Sequence, residues 1–248
     1  MGGLLDGRTA VVTGAARGLG FAMARGFLQQ GARVVVADLD KDAAATAVEE
    51  LAADGQALAV ACDVTDELSV AELAERASRD GAGLDVWVNN AGILRNGDMA
   101  DMPLSGFRAL IDVHVQGSWL GCKYAGIHIG AHGRGGSIVN ISSIGGKAGL
   151  AGQTNYSTAK AAILGLTKAA AKELAPKSIR VNTILPGIMR TAMAEQLAPE
   201  DLAARLTDVP LGRIGEPHEI ADAAVFLASD MSTFVTGAAL EVSGGRFM

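Results

Sequence analysis

The chain has 248 residues, of which 49% are hydrophobic and 19% charged, and its formal net charge is -6. This length and apolar content fit one α/β domain spanning residues 1–248 with a large core. The acidic balance offers no basic surface, which argues against nucleic acid or an anionic membrane as a partner.

Short apolar runs alternate with longer amphipathic segments along the chain, and this alternation predicts a parallel sheet covered by helices on both faces. The predicted strands are Thr9–Thr13, Arg33–Ala37, Ala57–Ala61, Val86–Asn89, Ser137–Ile141, Ile179–Thr183 and Ala239–Val242. The predicted helices are Leu19–Gln30, Lys41–Ala53, Leu68–Arg79, Leu104–Ile129, Tyr156–Leu174 and Pro217–Ala228. The irregular stretch 187–215 predicts a mobile segment with a short helix inside.

The turn after the first strand is rich in glycine. It contains Gly14, Gly18 and Gly20, with Arg17 and Leu19 between them. Glycines at such a turn let backbone N–H groups and a helix N-terminus approach a pyrophosphate, which indicates dinucleotide binding. The spacing is Gly-x-x-x-Gly-x-Gly, and a turn that serves packing alone is the alternative.

Acidic residues follow the second and third strands. Asp38 lies about 20 residues beyond the glycines, where a carboxylate binds an adenosine ribose and repels a 2′-phosphate. This predicts NAD rather than NADP, although Arg17 could meet that phosphate and Asp38 could be an ordinary helix N-cap. After the third strand, Asp63 could bind the adenine amino group, with Val64 beside it; a turn-forming Asp63 is the alternative.

Small and amide residues follow the fourth strand, in the run Asn89, Asn90, Ala91 and Gly92. Small residues let the backbone lie against a cofactor, and Asn side chains can tie neighbouring strands together. A plain turn is the alternative. Pro186 and Gly187 follow the sixth strand, and Thr191 stands where a hydroxyl could reach a carboxamide. Loops at strand carboxyl ends bind ligands in open α/β sheets.

Tyr156 and Lys160 lie one turn apart on a predicted helix, and Ser143 precedes them. An ammonium beside a phenol favours the phenolate, so Lys160 is expected to lower the pKa of Tyr156 and make it a proton donor and acceptor. The Ser143 hydroxyl could bind the same substrate oxygen. Alone, such a pair could equally be a half-buried aromatic and a solvated cation.

Taken in order, these motifs resemble the short-chain dehydrogenase/reductase family over essentially the whole chain. They are the Gly14–Gly20 turn, Asn89–Gly92, Ser143 with Tyr156-x-x-x-Lys160, and Pro186-Gly187. The resemblance implies a Rossmann-type doubly wound parallel sheet of seven strands in the order 3-2-1-4-5-6-7. It also implies hydride transfer between a nicotinamide and an alcohol or ketone.

The resemblance also implies roles for individual residues. Tyr156 would be the general acid/base, Lys160 would lower its pKa and bind the nicotinamide ribose, and Ser143 would hold the substrate oxygen. The Gly14–Leu19 turn would bind the pyrophosphate. Ile188 and Thr191 would contact the carboxamide.

One position departs from the family pattern, because His114 stands where the family usually carries Asn. That Asn lies at a helix kink and helps to hold a water that connects the lysine to solvent. An imidazole can donate, accept or relay a proton, so we hypothesise that turnover persists with a changed pH profile. A packing substitution is the alternative.

The irregular segment and its surroundings predict a hydrophobic pocket closed by a lid. Met189 and Met193, with Leu197, Leu202 and Leu206, could line it, or they could be only the apolar face of a short helix. Further walls are expected from Leu94, Arg95, Ile144, Leu150 and Gln153.

The predicted helix Tyr156–Leu174 is small and apolar on most sides, which predicts burial against the sheet and a second subunit. We expect a homotetramer, as is common in the resembled family, with the apolar C-terminal segment Ser243–Met248 joining the contact. The N-terminus has no signal for export or insertion, and Cys62 and Cys122 form no disulfide framework or metal pattern, so we expect a cytoplasmic protein.

The leading hypothesis is an NAD-dependent oxidoreductase acting on an apolar or cyclic secondary alcohol or ketone. The first alternative is an NADPH-dependent 3-oxoacyl-carrier-protein reductase. A different class is a nicotinamide-dinucleotide-binding regulatory protein in which catalysis is impaired at His114. No metal is predicted.

Overall fold

The structure, a computed structural model, describes residues 2–79, 83–191, 204 and 206–248. Seven strands form one sheet in the order β3-β2-β1-β4-β5-β6-β7, and neighbouring strands are parallel. The strands are β1 (Thr9–Thr13), β2 (Arg33–Asp38), β3 (Ala57–Ala61), β4 (Val86–Asn89), β5 (Gly136–Ile141), β6 (Ile179–Pro186) and β7 (Ala239–Val242). The predicted fold class and strand order are confirmed.

The helices cover both faces of this sheet. They are α1 (Gly18–Gln29), α2 (Lys41–Leu51), α3 (Glu67–Ser78), α4 (Leu104–Leu110), α5 (Gly117–Ala131), α6 (Ile144–Ala148), α7 (Thr154–Leu174) and α8 (Pro217–Ala228). A π-helical turn, Ile111–Gln116, joins α4 to α5, so the single helix predicted over this region changes its winding in the middle. The short α6 was not predicted, because five residues are too few to show a helical period.

The strands separate two hydrophobic cores, because successive side chains point to opposite faces. Val12 and Val34 belong to the core covered by α1, α2 and α8, whereas Val11 and Val35 belong to the core covered by α3, α5 and α7. Burial on both faces explains why the strands are almost continuously apolar.

The order of the strands creates a crevice at the carboxyl ends of the strands. From β1 the chain adds β2 and then β3 on one side, and it then returns to add β4 on the other side of β1. The loops that follow β1 and β4 therefore diverge, and such a switch point is where open α/β sheets bind ligands. Among the described helices, none is long and apolar enough to cross a membrane.

Candidate active site

The turn after β1 requires glycine for two physical reasons. Gly14 and Gly18 have left-handed φ angles of 62° and 61°, which side chains rarely adopt. An added Cβ at Gly14 would lie 2.8 Å from Ala91 Cα, and one at Gly20 would collide with the Gly14 carbonyl oxygen. The first turn of α1 has no acidic residue and no side-chain cap, so its N–H groups remain available to an anion.

Side chains of Thr13 and Asn90 fasten this turn to the end of β4. The Thr13 hydroxyl accepts hydrogen bonds from the backbone N–H groups of Asn90 and Ala91, both at 3.1 Å, and donates to the Val88 carbonyl at 3.2 Å. Asn90 Nδ2 donates to the carbonyl oxygens of Thr13 and Gly14 at 2.9 and 3.0 Å. The predicted tie between neighbouring strands is therefore present in the structure.

Asp38 ends β2 and faces the glycine turn. Its Oδ2 accepts from the Ala16 N–H at 3.1 Å and its Oδ1 from the Asp40 N–H at 3.3 Å. The N-cap of α2 is Asp40, which rules out the capping role considered for Asp38. The Arg17 side chain is exposed and makes no hydrogen bond or ion pair with a described residue. Asp38 thus holds the loop that carries Arg17.

Asp63 forms a local turn after β3. Its Oδ1 accepts from the Thr65 backbone N–H at 2.9 Å and from the Thr65 hydroxyl at 2.7 Å. The turn-forming alternative is therefore what the structure shows, and the other carboxylate oxygen has no hydrogen bond to a described residue. The neighbouring Val64 packs against Gly117 at the start of α5.

Tyr156 and Lys160 project from one face of α7, with Lys160 Nζ 5.7 Å from the centre of the Tyr156 ring. Lys160 is only 5% exposed, and its Nζ donates to the Ile141 carbonyl at 2.8 Å. Burial lowers the pKa of Lys160 from 10.5 to about 7.

Burial raises the pKa of Tyr156, and the Ser143 hydroxyl acts in the opposite direction. The pKa of Tyr156 is therefore not lowered by Lys160 as predicted. Both groups have lost water, and the ammonium is directed at the Ile141 carbonyl, so desolvation of the phenolate prevails.

Ser143 follows the end of β5 and lies next to Tyr156. It is the N-cap of α6, where its Oγ accepts from the Gly145 N–H at 3.0 Å. The hydroxyl is also close enough to act on Tyr156. The structure thus brings Ser143, Tyr156 and Lys160 together, as predicted from their spacing.

His114 lies in the π-helical turn and is 2% exposed. Its ring meets that of Tyr156 edge-on, with centroids 5.6 Å apart. Its Nε2 is 2.8 Å from the Ile93 carbonyl oxygen and 3.2 Å from the Ile93 nitrogen. Burial and the charge of Lys160 lower the pKa of His114 from 6.5 to about 3.

Two buried polar residues near the Tyr156–Lys160 pair were missed by sequence analysis. Asn155 Oδ1 accepts from the Tyr156 N–H at 2.7 Å, and its Nδ2 donates to the Arg95 carbonyl at 2.9 Å. Ser142 Oγ donates to the Lys160 carbonyl at 2.7 Å. Their only signal was that each directly precedes a predicted site residue.

The expected pocket walls are held by hydrogen bonds between segment 93–97 and the start of α7. Beside the bond from Asn155 to Arg95, Gln153 Nε2 donates to Asn96 Oδ1 at 3.0 Å, and the Gly97 N–H donates to the Gly152 carbonyl at 2.9 Å. Leu94 is partly buried. Leu150 lies next to Gly145 of α6, and Ile144 is almost completely buried.

The loop after β6 crosses the carboxyl edge close to the backbone of β7. An added Cβ at Gly187 would lie 2.7 Å from Ser243 Cα. The Ile188 carbonyl accepts from the Gly215 N–H at 2.9 Å. Thr191 Oγ is 3.5 Å from the Met189 carbonyl oxygen.

Met189 itself is 7% exposed and packs in the core with α1 and α8, so it offers little surface to a substrate. The predicted lid residues Met193, Leu197 and Leu202 lie outside the described residues. Leu206 is described and partly buried.

Comparison with known proteins gives one consistent family. Residues 14–246 match the family model described as enoyl-(acyl carrier protein) reductase. The chain is 50% identical, over the full length of both proteins, to an uncharacterized oxidoreductase of Mycobacterium bovis. It is 38% identical to the 3-oxoacyl-[acyl-carrier-protein] reductase FabG of Thermotoga maritima, covering 97% of this chain and 98% of that protein.

Another relative is the cis-4-hydroxycyclohexanecarboxylate dehydrogenase of Sinomonas cyclohexanicum, 42% identical over 99% of this chain and 98% of the relative. Among solved structures, a short-chain type dehydrogenase/reductase from Mycobacterium marinum superposes with a TM-score of 0.93. It is 37% identical and covers 98% of this chain and 96% of its own.

Replacing Lys160 by Met should stabilise the protein at neutral pH. A buried ammonium is costly, and each unit of pKa shift corresponds to about 1.4 kcal/mol, partly offset here by the lost bond to Ile141. We expect a gain of about 1–3 kcal/mol in the free energy of unfolding at pH 7, measured with urea.

The sign of the pH dependence provides a check. Between about pH 7 and 10.5 the unfolded Lys160 binds a proton that the folded one does not, so wild-type stability rises with pH in this window. The advantage of Lys160→Met should therefore shrink from pH 7 to pH 10. A constant advantage would contradict the lowered pKa. Lys172→Met, at an exposed position of α7, is the matched control.

Proposed function

Because the chain belongs to the short-chain dehydrogenase/reductase family, we propose that it is an NAD-dependent oxidoreductase acting on secondary alcohols or ketones. One observation carries the proposal: Ser143, Tyr156 and Lys160 meet at the carboxyl edge of the sheet, beside the glycine turn of the β1–β4 crevice. We further propose that the substrates are apolar or cyclic.

The residues of the crevice fit a nicotinamide dinucleotide, because the glycine turn leads into the uncapped N-terminus of α1, whose first turn has no acidic residue to repel a pyrophosphate. When bound, the dinucleotide supplies the hydride acceptor or donor. Its proposed contacts are Gly14, Arg17, Gly18, Leu19 and Gly20 for the pyrophosphate, Asp38, Asp63 and Val64 for the adenosine, and Asn90, Ala91, Gly92, Tyr156, Lys160, Pro186, Gly187, Ile188 and Thr191 for the nicotinamide half.

Tyr156 would move the proton at the substrate oxygen. Ser143 Oγ accepts from the Gly145 N–H, so its own proton can be donated either to the Tyr156 oxygen or, once substrate is bound, to the substrate oxygen. Phenolate formation at Tyr156 and protonation of Lys160 favour each other, because opposite charges attract strongly in a buried site. With a pKa of about 7, Lys160 can supply this charge near neutral pH.

The substrate proposal rests on the walls around this trio. Leu94 and Leu150 are apolar and partly buried, whereas Ile144, 3% exposed, supports the wall from behind and offers little surface to a substrate. The lid predicted for segment 187–215 would close over these walls. The relative named cis-4-hydroxycyclohexanecarboxylate dehydrogenase supports a cyclic alcohol.

A 3-oxoacyl-carrier-protein reductase using NADPH is the second candidate, favoured by the relative of that name. The Asp38 carboxylate would repel the 2′-phosphate of NADPH. The net charge of -6 disfavours binding of an acidic carrier protein. The third candidate is a regulatory dinucleotide-binding protein. It does not explain why Ser143, Tyr156 and Lys160 are brought together.

Replacing Tyr156 by Phe should reduce kcat by at least about 10²–10⁴-fold, the usual contribution of a positioned proton donor. NADH should still bind, because the ring remains. The reaction is followed at 340 nm over a panel of cyclic ketones, sugars and acyl thioesters. Tyr124→Phe, which removes a hydroxyl that donates to Glu67 at 2.9 Å, is the control. A fully active Tyr156→Phe variant would end the proposal.

Replacing Asp38 by Asn should reduce the selectivity for NAD over NADP. The charge that repels a 2′-phosphate disappears, so kcat/KM with NADP should rise and that with NAD should fall, each by about tenfold. Steady-state kinetics with both coenzymes measure the ratio, and Asp42→Asn on the exposed side of α2 serves as control. An unchanged ratio would remove Asp38 from coenzyme selection.

We also propose a homotetramer built partly on α7 and the C-terminal segment. The side of α7 away from the sheet exposes small residues: Ala161, Ala162, Gly165 and Ala169. At Gly165 an added Cβ meets no atom within 4 Å of the subunit itself. Small exposed faces of this kind permit close helix contact with a second subunit.

Replacing Gly165 by Trp should dissociate the assembly without unfolding the subunit, because the added ring would project from the exposed face. Sedimentation at micromolar concentration measures the mass, and circular dichroism reports folding. Ala45→Trp, on the exposed side of α2, should leave the mass unchanged. A wild-type monomer would exclude the tetramer.

A further inference from the structure

The contact between His114 and Ile93 is asymmetric. One ring nitrogen, Nε2, faces both the backbone nitrogen and the carbonyl oxygen of Ile93, at 3.2 and 2.8 Å. A neutral Nε2 either donates or accepts, so it can satisfy only one of the two groups. The shorter distance is to the carbonyl oxygen, which favours an Nε2–H that donates to it.

The other nitrogen supports the same tautomer. Nδ1 is buried and has no hydrogen bond to any described residue. A proton on Nδ1 would bury a donor without a partner and would leave the Ile93 carbonyl without its hydrogen bond. An unprotonated Nδ1 leaves a weaker acceptor instead.

A doubly protonated ring is opposed by its neighbours. Among the described residues, Lys160 and Tyr156 of α7 are the titratable groups that face the imidazole, and the end of β4 contributes the uncharged backbone of Gly92 and Ile93. An imidazolium would place a second buried cation beside Lys160. Burial and Lys160 accordingly hold the pKa of His114 at about 3.

The His114 ring also contacts two other parts of the site, the turn at Gly92 and the side chain of Tyr156. An added Cβ at Gly92 would collide with His114 Cε1, so the imidazole fills the space beneath that turn. Its opposite contact is the edge-on packing against Tyr156. The imidazole is thus a fixed spacer between the turn expected to hold the cofactor and the proposed proton donor.

We infer that His114 is a positioning residue: as a neutral Nε2–H imidazole it clamps the Ile93 carbonyl and spaces the Gly92 turn from Tyr156, and it does not carry the proton of the reaction. This inference rests on the proposed function for what is positioned. The clamp itself is a property of the folded chain.

Nitrogen-15 NMR of the histidine-labelled protein tests the clamp without any substrate. The His114 signals, assigned by their loss in His114→Asn, should show a protonated Nε2 and an unprotonated Nδ1, and they should not titrate between pH 8 and pH 5. Free imidazole added to the same sample serves as the pH control. An Nδ1–H ring, or a midpoint near neutral pH, would overturn the inference.

Kinetics separate positioning from proton relay. An Asn at 114 can donate to the Ile93 carbonyl, so His114→Asn should keep the pH midpoints of kcat and lose about tenfold or less in kcat. His114→Leu keeps bulk without the hydrogen bond and should lose about 100-fold, the scale of a 1 Å misplacement, while NADH affinity stays within about twofold. His218→Gln is the control.

A midpoint moved by a unit or more in His114→Asn, or a His114→Leu variant as fast as wild type, would contradict the inference. If His114→Leu does not fold, the Asn variant and the NMR measurement still decide. If the wild type transfers hydride to no ketone in the panel, the proposed function fails, whereas the tautomer measurement still tests the clamp.

Discussion

The close approach of two backbones, at the ends of β1 and β4, is the constraint on which the rest of the site depends. Gly14 lies so near Ala91 that a Cβ between them has no room, and hydrogen bonds from Thr13 and Asn90 hold the two chains there. These bonds satisfy backbone groups that the diverging loops would otherwise leave unpaired. The crevice is therefore formed by the sheet itself, before any ligand contributes to it.

Near this contact between the ends of β1 and β4, the protein buries ionisable side chains whose charged forms would be more stable in water. Lys160, Tyr156 and His114 lie close together. Burial shifts the pKa of each side chain in the direction that favours its neutral form. The two hydrophobic cores on either side of the sheet supply the stability that such burial costs. The site resembles many active sites in this respect, where perturbed ionisation and reduced stability occur together.

The sequence predicted what local patterns encode. The strands followed from alternating apolar runs, whereas their order followed from the resemblance to the family. The glycine turn followed from backbone sterics. The resemblance implied a helix kink at position 114, where the π-helical turn lies. The short α6 and the role of Asn155 could not be predicted, because a five-residue helix shows no period and the contacts of Asn155 arise from tertiary packing. The pKa of Tyr156 was predicted in the wrong direction, because spacing along a helix contains no information about desolvation. Met189 was expected in the pocket but is buried in the core, since helical periodicity does not say which neighbour an apolar face meets.

Chemistry and specificity are supported by different parts of the fold. Tyr156, Lys160 and Ser143 are fixed by helix α7, by the Ile141 carbonyl and by the cap of α6, none of which depends on the identity of the pocket side chains. The walls, in contrast, are held through backbone atoms, as when Asn155 binds the Arg95 carbonyl and Gly97 binds Gly152. Side chains at Leu94 or Leu150 can therefore change without moving Tyr156. A fold arranged in this way can vary its substrate while keeping one reaction, because the hydrogen bonds that position the chemistry and those that shape the pocket involve different atoms.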